Sequence, residues 1–358
     1  MNDSQMIYVH IPFCKKRCDY CAFVSCTNFQ IVEKYFCFLK NEIQSCKYNT
    51  KPISSIYFGG GTPSVVDEKY ICETLSLIKS KFKIMQNCEI SIECNPESTT
   101  LSKLKAFYKA GFNRISFGVQ SLNEKELLKI GRNQNAVQVK NAMKNALKVG
   151  FENLSVDLLL GLEGQTCKSL EKQIEQLNMW GATHLSLYML MIEENTKLFK
   201  NVQNGLYLPL EDEICVQLYD LLFKKLKELG FYRYEVSNFA KNGFICKHNL
   251  GYWQMKPYLG FGVSAHSFID GKRIANPDNF MDYFNGKYNI EKCNQQSLNE
   301  EYIMLGLRTI FGVEENFIKN TKQLNLLLQK GIVIKSNSKI RVADDYFGVL
   351  NQIILKLI

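Results

Sequence analysis

Apolar positions along the chain fall into short runs of strand period separated by longer stretches of helical period. The runs predict strands at Met6–Ile11, Ile53–Phe58, Glu89–Glu93, Arg114–Gly118, Leu154–Leu160 and His184–Leu190. Between them, spacing near 3.6 residues predicts helices over Val32–Cys46, Glu68–Phe82, Ser102–Ala110, Asn135–Val149 and Cys167–Met179. Near-continuous apolar strands alternating with helices predict a parallel sheet covered on both faces. Six such units predict an α/β fold, a partial (β/α)6 parallel barrel in preference to a flat doubly wound sheet.

Beyond about Asn195 the pattern changes. Glu211–Leu229 reads as one amphipathic helix, Tyr232–Val236 as a strand, and Phe239–Phe268 as a loop region rich in glycine and aromatic residues. Leu298–Ile358 reads as a helix, a second helix near Lys322–Lys330, two β-runs around Ile332–Ile334 and Ile340–Val342, and a final helix. That order predicts a small, helical, winged-helix-like domain. The expected division is a barrel over 1–195, a barrel extension over 196–295 and the winged domain over 296–358.

Composition narrows the class. With 46% apolar and 22% charged residues, the chain is an ordinary globular one. Apolar stretches such as Leu185–Ile192 are far shorter than the roughly 18 residues a spanning helix needs, so none is expected. Met-Asn-Asp leads straight into a strand with no basic and apolar leader, so a cytoplasmic location is expected. The 44 basic residues exceed the 35 acidic ones, but acidic residues interrupt them through most of the chain and no aromatic-interleaved basic stripe appears. Nucleic acid is therefore not an expected partner, while the modest positive charge favours an anionic ligand. Thirteen cysteines, an odd number in a long chain without an export signal, argue against a disulfide framework.

One cysteine subset is clustered. Cys14-Lys-Lys-Arg-Cys18-Asp-Tyr-Cys21 has the spacing C-x3-C-x2-C. Three thiolates on a short loop can hold three irons of a 4Fe-4S cube and leave the fourth iron open to a ligand. A zinc site and three unrelated thiols are the alternatives, although no second C-x2-C completes a zinc set. Cys26 lies five residues beyond the motif and reads as a bystander. Gly59-Gly60-Gly61-Thr62-Pro63 follows the second strand and reads equally as a tight turn or as a close backbone approach to a ligand. Nearly every unusual residue follows the carboxyl end of a predicted strand. Parallel barrels build their sites at that rim, so these segments should converge on one pocket.

Tyr8-Val-His10-Ile-Pro-Phe-Cys14, the three cysteines and Gly59-Gly60-Gly61-Thr62-Pro63-Ser64 together resemble the radical S-adenosylmethionine superfamily. Within it they resemble the oxygen-independent coproporphyrinogen III oxidases and their heme-chaperone relatives. Ser91-Ile-Glu93-Cys-Asn-Pro96, Gly118-Val-Gln120-Ser121 and Asp157-Leu-Leu-Leu-Gly161-Leu extend the likeness over essentially the whole chain. The resemblance implies that Cys14, Cys18 and Cys21 hold the cluster, and that its open iron binds S-adenosylmethionine for reductive cleavage. It also implies that Tyr8, Gly60, Glu93 and Met191 contact S-adenosylmethionine. Gly61, Thr62, Gln120, Arg132, Asp157 and Tyr20 match residues the oxidase uses for a second such molecule. For Glu93 and Asp157 the bland alternative is a structural ion pair with Arg114 or Arg132.

Three departures separate this chain from the oxidase branch. Phe23 stands where the oxidases carry a further cysteine, Tyr8 is almost the first residue where the oxidases are expected to carry an extension, and His248-Asn249-x-x-Tyr252-Trp253 resembles a signature of the heme chaperones. The resemblance to that branch implies heme as ligand, respiratory membrane proteins as recipients, a monomer or dimer, and a peripheral membrane position during delivery. The oxidase, which decarboxylates two propionates, is the alternative. His248 suits heme contact, or else a hydrogen-bonded structural role in its loop. His10 is expected to orient the cysteine loop, and His184 and His266 to be structural.

Overall fold

The computed structural model describes residues 4–48 and 51–358. Six parallel strands, β1 (Gln5–Ile11), β2 (Ile53–Gly60), β3 (Ile84–Cys94), β4 (Arg114–Gln120), β5 (Asn153–Leu160) and β6 (His184–Met189), lie side by side in chain order. Helices α1 (Val32–Ser45), α2 (Glu68–Lys81), α3 (Leu101–Ala110), α4 (Glu124–Lys129), α5 (Ala136–Val149) and α6 (Cys167–Met179) form the crossovers. The expected partial (β/α)6 barrel is present, with boundaries within one or two residues for most elements. β3 is the exception and starts five residues early.

The strands are not apolar on both faces as expected. Ile7, Val9, Ile11, Ile56, Phe58, Ile90, Ile92, Ile115, Phe117, Leu154, Val156, Leu185 and Leu187 belong to the core packed against the helices. The alternate positions carry Tyr8, Ser55, Tyr57, Ser91, Glu93, Ser116, Ser155, Asp157 and Ser186, so the concave face is polar. Ser91, Arg114 and Asn153 sit in register across β3, β4 and β5, and each keeps a buried polar atom without a partner.

The region Phe239–Phe268, expected to be a loop, is built of regular elements. Asn238–Ala240 pairs antiparallel with β6, Lys247–Trp253 is a helix, and Tyr258–Phe261 adds parallel to β1. Gly260 is required there because a Cβ would lie 2.0 Å from the His266 carbonyl oxygen. The strand expected at Tyr232–Val236 shrinks to Tyr232–Arg233, followed by an isolated bridge between Glu235 and Thr309.

The C-terminal residues form a separate core around Leu307, Val313, Leu324, Ile340, Val342 and Ile354 under a three-stranded antiparallel sheet. Arg233 ties this unit to the barrel. Its guanidinium donates to Asp344 at 2.9 Å and stacks 3.6 Å over the Phe347 ring, a buried cation held by both charge and π-face. Among the described residues, no helix is long and apolar enough to cross a membrane.

Candidate functional site

The cysteine loop leaves β1 at the carboxyl rim and is pinned from both sides. Gly61 N–H donates to Ile11 O at 2.9 Å and Thr62 N–H to Phe13 O at 2.8 Å, so the glycine run clamps the loop's first residues. At the loop's far end, Asp19 N–H donates to Ile130 O, Leu198 N–H to Asp19 O, and Lys197 pairs with the Asp19 carboxylate at 3.0 Å.

Each glycine of the run faces protein. A Cβ on Gly59 would lie 2.9 Å from the Glu93 carboxyl carbon, one on Gly60 2.5 Å from the His10 ring, and one on Gly61 2.9 Å from the loop backbone. Gly60 also adopts φ +109°, which side chains rarely tolerate. His10 links Val24 O at 3.0 Å to the Tyr8 hydroxyl at 3.1 Å, so it orients the returning limb of the loop.

Cys14, Cys18 and Cys21 are free, partly exposed thiols. Burial raises the pKa of Cys14 and of Cys21, opposed at Cys14 by the Thr62 hydroxyl 3.5 Å away. Arg132 Nη1 lies 3.8 Å from Cys18 Sγ, and the same guanidinium donates to Asn95 Oδ1 at 2.8 Å and to Gly118 O. Its Nε is buried without a partner. A cation with an unused donor beside a thiol suits thiolates and an anionic ligand. Among the described residues, no three histidine, cysteine or acidic side chains converge as ligands of a single ion do. A cube that takes one thiolate per iron uses a wider triangle, and three thiols on one loop suit it.

Below the loop, Glu93 accepts from the Tyr57 hydroxyl at 2.9 Å and from Gly60 N–H at 3.2 Å. Desolvation, reinforced by Asp157, pushes its pKa up to about 7. Asp157 accepts from Ser116 Oγ at 3.2 Å, and burial raises its pKa as well. Among the described residues neither carboxylate forms an ion pair with Arg114 or Arg132, which removes the bland alternative. Arg114 acts on both carboxylates from beyond ion-pair distance, and burial outweighs it, so two half-buried carboxylates facing one lumen suit a cationic ligand.

Of the other expected residues, Tyr20 is half-buried beside Arg132, and Gln120 ends β4 at φ +65° in a strand irregularity. Met191 lies 69% exposed beyond β6, next to a cleft lined by Arg17, Ala22, Ile192, Glu193, Glu194 and Asn195. His184 is buried between Ser155 and Tyr234, and His266 is exposed on a strand.

His248 shows the hydrogen-bonded arrangement, the second of the two roles its sequence allows. It lies on the helix Lys247–Trp253 at 1% exposure, with Nδ1 on Ser55 Oγ at 2.9 Å and Nε2 on the Tyr252 hydroxyl at 3.0 Å. Both ring nitrogens are engaged and burial holds its pKa down to about 3, so it offers no lone pair to a heme iron in this arrangement. It instead ends an aromatic column running from Tyr8 through Tyr57, whose ring is 5.1 Å away. Glu89 fastens the helix start by accepting from Lys247 N–H and His248 N–H.

Tyr57, Asn95 and Ser116 were not anticipated. Tyr57 and Ser116 are uncharged residues inside strand runs that read as apolar, so no local signal singles them out.

A model of the Radical SAM superfamily matches residues 8–177. Over 321 residues the chain is 36% identical to the heme chaperone HemW of Bacillus subtilis (strain 168), covering 86% of this chain and 84% of that protein. It is 30% identical to the mitochondrial radical S-adenosyl methionine domain-containing protein 1 of Mus musculus, over 98% of this chain and 87% of that one. Among solved structures, coproporphyrinogen III oxidase (HemN) from Escherichia coli superposes with TM-score 0.86 at 20% identity, covering 99% of this chain and 90% of that one. That likeness is one of fold.

Proposed function

The chain belongs to the radical S-adenosylmethionine superfamily, in the family of the HemW heme chaperones, and from that premise we propose that it binds heme and passes it to respiratory proteins. The observation that carries the reading is the 36% identity to a heme chaperone over 86% of the chain. The oxidase likeness, at 20% identity, speaks for the barrel alone. Phe23, 68% exposed two residues after Cys21, adds no thiolate to the loop and is consistent with the chaperone side.

Membership implies a 4Fe-4S cluster and S-adenosylmethionine. Cys14, Cys18 and Cys21 would hold the cluster, which supplies one-electron chemistry toward S-adenosylmethionine when both are bound. This chain's residues bind and orient. Gly60, Gly61 and Thr62 fix the loop, and Arg132 offers a cation beside Cys18. Glu93 would offer a carboxylate to a cationic group of S-adenosylmethionine, and Tyr8 and Met191 would border the same molecule. Gln120, Asp157 and Tyr20 would border a second one. In this reading the cofactors set the state that holds or releases heme, and the porphyrin is not altered.

The test is heme transfer. Cluster-loaded protein should take up heme in stoichiometric amount, followed by absorbance, and should pass it to an apo-cytochrome acceptor. Heme that stays in free solution at micromolar protein would sink the reading.

A further inference from the structure

Basic residues are interrupted by acidic ones over most of the chain, but residues 316–343 are an exception. They hold Lys319, Lys322, Lys330, Lys335, Lys339 and Arg341 with no Asp or Glu, a net +6 within a chain of net +9. In the folded domain Lys335, Lys339 and Arg341 lie near Glu315, Glu314 and Asp344. Lys319, Lys322 and Lys330 are exposed and, among the described residues, in no ion pair.

Lys322, Leu326 and Lys330 recur at four-residue spacing, so they form one stripe along the helix Thr321–Gln329. Leu326 is 39% exposed on it. Asn320 Nδ2 donates to Lys356 O at 3.1 Å, which sets the start of this helix against the end of the helix Leu350–Leu357. Lys319 and Lys322 thereby join exposed Lys356 and Leu355 at one edge of the domain. The second helix buries Leu350, Ile353, Ile354 and Leu357 but turns Leu355 outward at 78% exposure, the highest of the large apolar side chains described.

We propose that this lysine edge with Leu326 and Leu355 is a docking surface for an anionic lipid bilayer. Lysines at a bilayer surface gain from anionic headgroups, and their stems reach along apolar surface. An exposed leucine gains only where it leaves water, as at the headgroup and acyl boundary. A phosphate backbone gives a leucine nothing. A nucleic-acid face would also carry arginine and side chains placed for base edges, whereas the one arginine here is half-buried beside Asp344. The proposal extends the delivery step of the heme reading by naming the face turned to the membrane. Vesicle binding is read with no heme present, so the two readings fail separately.

The experiment is co-sedimentation of the full chain with vesicles of equal parts phosphatidylglycerol and phosphatidylcholine, against vesicles of phosphatidylcholine alone. Binding to the anionic vesicles should fall with added salt. Each lysine near the surface contributes about fivefold, so the triple variant K319Q/K322Q/K356Q should bind about 100-fold more weakly. L355S should weaken binding about tenfold with its salt dependence kept. All four positions are exposed, and unchanged melting curves establish that the variants fold. Equal sedimentation with both vesicle types, a triple variant that binds like its parent, or tighter binding to a duplex oligonucleotide than to the anionic vesicles would each overturn the proposal.

Discussion

Glu93→Gln should change how stability depends on pH while leaving the barrel intact. Glu93 is held near 7, whereas an unfolded carboxyl titrates near 4.5. Between those values the folded chain keeps a proton that the unfolded chain has lost, so raising the pH through this window favours unfolding. The penalty is absent at acidic pH and complete above about 8, where it amounts to roughly 3 kcal/mol. Water on the open side of the lumen discounts this to about 2 kcal/mol. Glutamine keeps an acceptor for Tyr57 and removes the titration, at a fixed cost where its amide meets Gly60 N–H. Urea unfolding followed by circular dichroism, near pH 5 and near pH 8 and without S-adenosylmethionine, reads the difference. The variant should gain about 2 kcal/mol on its parent between the two conditions. Parallel curves for the two proteins would refute the assignment of a destabilising charge to Glu93.

Gly60→Ala should lower the melting temperature and the iron content together, because the methyl meets the His10 ring at 2.5 Å and φ +109° adds about 1–2 kcal/mol of strain. Cys18→Ser should abolish cluster loading, read by iron analysis and visible absorbance, in a chain whose far-ultraviolet dichroism is unchanged. His248→Ala should cost about 2 kcal/mol by orphaning the Ser55 and Tyr252 hydroxyls, with heme stoichiometry kept. A variant of full stability that loses heme would place His248 in the heme site instead. Arg132→Met should slow cluster reconstitution, since Cys18 loses its neighbouring cation, and equal rates would assign Arg132 to holding Asn95 and Gly118 only.

The barrel was legible because its apolar strands and amphipathic helices repeat with distinct periods. The polar lumen was not. Ser55, Ser91, Ser116, Ser155 and Ser186 are small and uncharged, so they vanish inside runs that read as continuously apolar. The strand Tyr258–Phe261 was also hidden, since its pairing with β1 depends on the bareness of Gly260 and on a partner 252 residues away, Met6 against Tyr258. The cysteine loop is local chemistry, and its spacing sufficed to find it. Tyr57 and Asn95 act through register between segments far apart in the chain, which no local pattern carries. His248 keeps two readings in sequence for the same reason: Tyr252 is its neighbour in the chain, but Ser55, which takes its other nitrogen, comes from β2.

The most direct test of the account is anaerobic turnover. Protein with a reconstituted cluster is given reductant, S-adenosylmethionine and coproporphyrinogen III, and the porphyrins are separated by chromatography. The account predicts unchanged coproporphyrinogen from protein that still takes up heme stoichiometrically. Protoporphyrinogen formed over many turnovers would make the chain an oxidase despite Phe23 and contradict the account.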